Sequence, residues 1–219
     1  MFKPKNKDEL EELINTVKDL NTIDTSLVTD MSWMFGAAKF FNQPLNNWDV
    51  SNVTNMSGMF ECAESFNQPL NNWDVSSVTN MHGMFWCAKA FNRTLNNWDV
   101  SNVTNMSYMF SKATSFNQPL NNWDVSNVAN MWCMFYKATS FNQPLNAWDV
   151  SEVKNTESMF ENAIKYAYSM SKWKLHNDCN VTDFLKNCII WCRFNNEDDM
   201  PLKGSKRLEV PTNLKELWR

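Results

Sequence analysis

Apolar positions recur along this chain with a long and regular step. Phe-Asn falls at 41, 66, 91, 116 and 141, each 25 residues after the last. Trp48, Trp73, Trp98, Trp123 and Trp148 keep the same interval, and so do Asp49, Asp74, Asp99, Asp124 and Asp149 behind them. A fixed period of this length marks a repeat architecture, in which one unit cannot bury its apolar face alone and must stack on its neighbours. The organisation read from the pattern is an N-terminal capping helix in 1–22, a repeat region in 23–192 and a C-terminal cap or tail in 193–219. Within the repeat region, 23–40 is a partial copy, 41–165 holds five full copies and 166–192 is a decayed copy.

Inside a copy the spacing predicts two elements. Val78, Met81, Met84, Phe85 and Ala88 follow intervals of three, three, one and three, the spacing of one face of a short helix. Ser76, with Asp74 as rival, stands where an N-cap would accept from the open amides of the first turn. Upstream, Asn72-Trp73-Asp74-Val75 alternates polar and apolar as a short strand does, and Pro69 lies at its boundary. The expected fold is therefore an α/β repeat, a curved solenoid with one short parallel strand and one short helix per 25-residue repeat. The curvature follows from sterics. Strands stack ~4.8 Å apart while helix axes need ~8–10 Å, so strands line a concave face and helices a convex one. Asn at the registers of 42, 46, 47 and 55 recurs in nearly every copy and is expected to satisfy backbone groups in the bends. In the N-terminal segment Leu10, Leu13, Ile14, Val17 and Leu20 form a helical stripe suited to a cap, or to a partner.

Composition narrows the function. Lys and Arg number 20 against 24 Asp and Glu, a net charge of −4 with no block of one sign, so no basic field exists to displace counterions from nucleic acid. No segment approaches the roughly 20 apolar residues that cross a bilayer. The start, Met1-Phe2-Lys3-Pro4-Lys5, lacks the apolar core of a secretory signal, so the expected location is cytoplasmic or virion-associated and the six cysteines are expected as thiols. Triplets such as Asn52-Val53-Thr54 and Asn102-Val103-Thr104 read as by-products of the repeat.

The unit Phe-Asn-Gln-Pro-Leu-Asn-Asn-Trp-Asp-Val-Ser-Asn-Val-Thr-Asn-Met-Ser-Gly-Met-Phe, at 41–60, resembles the repeat of the BspA-like leucine-rich-repeat surface proteins. The same unit is carried by mycoplasma lipoproteins of unknown function and by related proteins of protists and large DNA viruses. The resemblance covers about 23–175. It implies a leucine-rich-repeat-like solenoid that recognises or attaches, and it implies no catalytic residues. The chain departs from the bacterial surface members in showing no lipid-attachment cysteine near its start.

Positions that differ between copies are those the scaffold does not dictate. At the register of Ser57 stand Ser32, His82, Ser107, Trp132 and Glu157; at that of Glu61 stand Gly36, Trp86, Ser111, Tyr136 and Glu161. With Trp33 and Tyr108 one place along from the first set, Trp33, His82, Trp86, Tyr108, Trp132 and Tyr136 form the leading candidate, an aromatic protein-binding patch on the outer helix face. The bland alternative is that the rings fold over small neighbours such as Ser107 and Ser111. The second candidate is the ladder Asp49, Asp74, Asp99, Asp124 and Asp149 on the concave Asn/Asp face, a glycan or cation site, unless each carboxylate already has a structural partner. The third is a zinc site from His176, Cys179, Cys188 and Cys192, whose spacing is not a standard pairing. Cys62 and Cys87 share a register on adjacent copies and are expected close together but reduced. With two histidines, no Gly-rich phosphate loop and no recognisable nucleophile setting, the expectation is a protein-binding scaffold, not an enzyme, with no cofactor.

Overall fold

The structure is a computed structural model and describes residues 2–188. One α-helix, α1 (Lys7–Thr16), begins where Asn6 Oδ1 accepts from the Glu9 amide at 3.0 Å. Its apolar stripe follows: Leu10 is fully buried, and Leu13, Ile14 and Val17 pack against the core. A single 3₁₀ turn, Leu20–Thr22, capped by Asp19, leads into the repeats.

From Ile23 onward the copies stack in register. Each touches the next through one parallel bridge, Asp30 to Asn55, Asn55 to Asn80, and so on at steps of 25 to Asn180. The expected strand and helix per copy are not there. Among the described residues there is no sheet, and beyond α1 only the 3₁₀ turn is helical. Each copy is instead a coil of successive turns.

Copy 51–75 shows why. Met59, Glu61, Ala63 and Phe66 each send their amide back three residues, to the carbonyls of Met56, Gly58, Phe60 and Ala63. The residues between them send theirs out of the coil. Met56, Gly58, Phe60 and Cys62 donate to the carbonyls of Asn80, His82, Met84 and Trp86 at 2.7–2.9 Å. A helix keeps all interior amides for its own carbonyls four residues back; here every second amide belongs to the neighbour. Gly58 (φ 63°) and Cys62 (φ 53°) sit in the left-handed region that a right-handed helix cannot hold, and the same two registers are left-handed in all seven described coils. The supposed strand is also a pair of corners, closed by Trp73 to Leu70 and Val78 to Val75. The argument for a curved leucine-rich-repeat-like stack rested on a strand face and a helix face, and it lapses with them.

The interior explains the invariant residues. Phe35, Phe60, Phe85, Phe110, Phe135 and Phe160 form one column with centroids 5.4–5.7 Å apart. Phe41 to Tyr166 form a second column at 5.7–6.1 Å. Within a coil the two rings stack at 4.0–4.3 Å. Each tryptophan of the repeat donates its indole N–H, at 2.8–3.2 Å, to a leucine carbonyl one coil back: Trp73 to Leu45, Trp98 to Leu70, Trp173 to Leu145. That bond fixes both residue types at once. Of the recurrent asparagines, those at the registers of 42 and 55 bind backbone regularly, whereas Asn71 and Asn121 pair with the side chains of Asn72 and Asn122. Asn42, Asn67, Asn92, Asn117 and Asn142 each accept from the amide 25 residues on, and Asn55 and its equivalents accept from the amide two residues on.

Candidate functional site

The variable registers lie on the turn segment that follows each bridge, so the aromatic candidates project from turns and not from a helix. Stacking brings four of them together. Tyr108 is the hub. Its ring lies 5.1 Å from Trp86 and meets Trp132 edge-on at 4.8 Å and His82 edge-on at 5.8 Å. Lys112 Nζ stands 5.9 Å over Trp86, and Lys137 Nζ 5.0 Å over Tyr136, in cation–π range. Trp33 stands apart, its indole laid against Gly58, where an added Cβ would meet the ring at 2.9 Å. Trp33 (52% exposed) and Trp132 (37%) remain open to solvent, whereas His82, Trp86, Tyr108 and Tyr136 are half-buried. The rings thus do lie on small neighbours, and they still leave two indoles outside.

Beneath the rings the polar chemistry is incomplete. Glu61 Oε2, Trp86 Nε1 and Ser111 Oγ are buried without a hydrogen-bond partner, and these three residues occupy one register on three successive coils. The fourth such atom among the described residues is the Tyr166 hydroxyl, far from this row in sequence. Burial raises the Glu61 carboxyl above its ordinary range, lowers His82 and pushes Tyr108 up to about 12, with the Cys133 thiol beside its hydroxyl. His82 Nδ1 is 2.7 Å from Ser107 Oγ. Cys62 and Cys87 are unbridged and neighbour each other, with the Cys87 thiol pushed up to about 11 chiefly by burial. Glu61 and Ser111 were visible as variable positions but not as members of a site. Orphaned atoms depend on side-chain direction, which no spacing reveals. The one sequence signal was Gly58 and Gly83 on consecutive coils, where other copies carry Trp33 and Tyr108.

The aspartate ladder is built into the frame. Asp49, Asp74, Asp99, Asp124 and Asp149 each accept from the serine amide two residues on, at 3.0–3.1 Å, and the first three also from that serine's hydroxyl at 2.6–2.7 Å. Those serine bonds hold the carboxyls of Asp74, Asp124 and Asp149 below the usual carboxylate range. They are structural acceptors at a tight turn. Of the zinc candidate, the three described residues, His176, Cys179 and Cys188, do not gather. His176 Nδ1 accepts from the Asp178 amide, and the Cys188 thiol points to the carbonyls of Ala163 and Tyr166 at 3.4 and 3.3 Å. Cys192 lies outside the described residues, as does the supposed 193–219 cap. Among the described residues no three of His, Cys, Asp and Glu gather as a metal site would need, and no helix is long and apolar enough to cross a membrane.

No curated protein matches the chain. A family model described as "Mycoplasma protein of unknown function, DUF285" matches it twice in tandem, over residues 5–103 and 92–197. Together the two matches span most of the sequence, including the cap α1 and the coils: the chain belongs to the DUF285 family of mycoplasma proteins of unknown function.

Proposed function

We propose that this chain is a non-catalytic scaffold that recognises a protein through the turn segments carrying Trp33, His82, Trp86, Tyr108, Trp132 and Tyr136. The observation that carries the reading is the row of orphaned polar atoms at Glu61, Trp86 and Ser111, set beneath partly open aromatic rings. A buried polar atom without a partner costs about 1–3 kcal/mol, so a frame that satisfies its asparagines so thoroughly has reason to fill this row too. A docking protein supplies what is missing: apolar contact for the exposed indoles and hydrogen-bond partners at their edges, the composition typical of interface hot spots. The resemblance of the repeat to the BspA-like surface proteins, which attach and recognise, points the same way.

The test is capture from a native lysate by the intact protein and by a variant carrying Trp86→Ser, Trp132→Ser and Tyr136→Ser, with thermal unfolding confirming that both fold. Loss of a specific protein from the variant alone supports the reading. Identical capture by both proteins would overturn it.

A further inference from the structure

The residue before each bridge donates backward, as Thr54 does to Thr29, but from the bridge through the two turns that follow, the hydrogen bonds between coils run forward and leave complementary rows at the two ends. In the bridge-to-turn segment every second amide of a coil donates forward to a carbonyl of the next: Met31 to Asn55, Trp33 to Ser57, Phe35 to Met59, Ala37 to Glu61. The pattern holds to the last described coil, where Thr156, Ser158, Phe160 and Asn162 donate to Asn180, Thr182, Phe184 and Lys186. The first coil therefore presents the matching carbonyls of Asp30, Ser32, Met34 and Gly36, and none of them accepts from a described residue. The last described coil presents the amides of Val181, Asp183, Leu185 and Asn187, and none of them finds an acceptor among the described residues.

Two acceptor rows cannot pair, so a two-fold dimer through the first coil is excluded by the chemistry of its edge. A donor row can pair with it, and this chain carries one with the same spacing. We infer that a second copy of this chain docks head to tail, the Val181–Asn187 amides of one molecule donating in order to the Asp30, Ser32, Met34 and Gly36 carbonyls of the next. Such a contact continues the interface already made six times within the molecule and is heterologous, so one copy leaves an unfilled end for the next. Exposed Phe40 (85%) and Trp33 border the acceptor end. α1 competes for that end. It covers the core there through Leu10, and Lys7 Nζ reaches Ser32 Oγ at 3.1 Å, but it donates nothing to the four carbonyls. The helix is an apolar lid on a polar edge, and a coil replaces it with better-matched bonds.

The junction places residue 187 of one copy beside residue 37 of the next, at the register where Cys62 and Cys87 already lie side by side. The protein carrying Ala37→Cys and Asn187→Cys is treated with a short bismaleimide, each ring of which adds one thiol, beside the two single variants and the unaltered chain. Sedimentation is followed over a range of concentrations, with Leu10→Ala as the loosened lid. The expected result is mass that rises with concentration in steps of one chain and an inter-chain product found only in the double variant. Association of the Leu10→Ala protein should be tighter by about tenfold or more. Val181→Pro costs an isolated molecule no hydrogen bond and removes the first donor, so it should weaken association. A constant monomer mass for both the unaltered and Leu10→Ala proteins overturns the inference, as does self-association without a product specific to the 37–187 pair.

Discussion

Two sides of the same coil obey different rules. On the frame side, residues repeat because their polar groups have partners: Trp98 finds the Leu70 carbonyl and Asn92 the Asn117 amide one coil away, and Asp99 finds the Ser101 amide and hydroxyl in its own coil. On the variable side, Glu61, Trp86 and Ser111 follow one another at one register with buried polar atoms that have none. Among the described residues the frame leaves only the Tyr166 hydroxyl in that condition. The contrast separates what stacking demands from what is left free for a partner.

The sharpest way to break the contrast is to cut the frame. Phe110 lies fully buried between Phe85 and Phe135 in its column and against Phe116 in its own coil. Phe110→Ala removes a ring that neither neighbour can replace, because the columns are fixed by backbone bonds, and should lower unfolding free energy by about 3–5 kcal/mol in a urea titration. A loss below about 1 kcal/mol would mean that the ring columns are looser than their spacing implies. Trp98→Phe comes next. It deletes the 3.0 Å bond to the Leu70 carbonyl and leaves a void where the indole's second ring was, an expected cost of about 2–3 kcal/mol.

Acid should act on the frame more weakly. The carboxyls of Asp74, Asp124 and Asp149 are held low by their serine bonds, so their contribution is present above the ordinary carboxylate pKa near 4. It is lost as pH falls through the depressed folded-state value. These groups are exposed, so each is worth less than about 1 kcal/mol after screening. A variant with Asn at all three positions keeps the oxygen acceptor and loses the charge. Its urea midpoint should fall less than that of the unaltered protein between pH 5 and pH 2.5. Equal falls in both proteins would detach these serines from the acid response.

Period and composition made the stacking legible, and with it the buried Trp, Phe and Met and the capping role of Leu10 and Leu13. They did not make the path of the backbone legible. Leu10, Leu13 and Ile14 in α1, with Val17 at its C-cap, and Val53, Met56, Met59, Phe60 and Ala63 in a coil show nearly the same intervals, yet only the first segment is helical. Turns that close three residues back place side chains inward every third residue, and over one coil that is hard to tell from a helical face. The coil differs in needing left-handed residues at 58 and 62, and the glycines at 58 and 83 hinted at this. Trp33, Tyr108 and Cys133 at the first register hid it. The strand failed for the opposite reason: two corners at Trp73 and Val78 put alternate residues inward without extending the chain. At the candidate site, variability identified the residues, while the unfilled hydrogen bonds beneath them emerged only from side-chain direction.

The smallest expected effect is the most telling, because it repeats the frame's own substitution on the other side. Trp86→Phe removes an indole N–H that has no acceptor, whereas Trp98→Phe removes one that does. Deleting an unsatisfied buried donor relieves a desolvation cost that offsets the lost ring area. Trp86→Phe should therefore leave the urea midpoint within about 0.5 kcal/mol of the unaltered protein, or raise it, while Trp98→Phe lowers it clearly. The partner contact should show the reverse order, with capture weakened by Trp86→Phe and unchanged by Trp98→Phe at temperatures where both are folded. If the two substitutions destabilise alike, Trp86 belongs to the frame, and the row through Glu61 and Ser111 loses its claim to be the face where another protein completes the bonds.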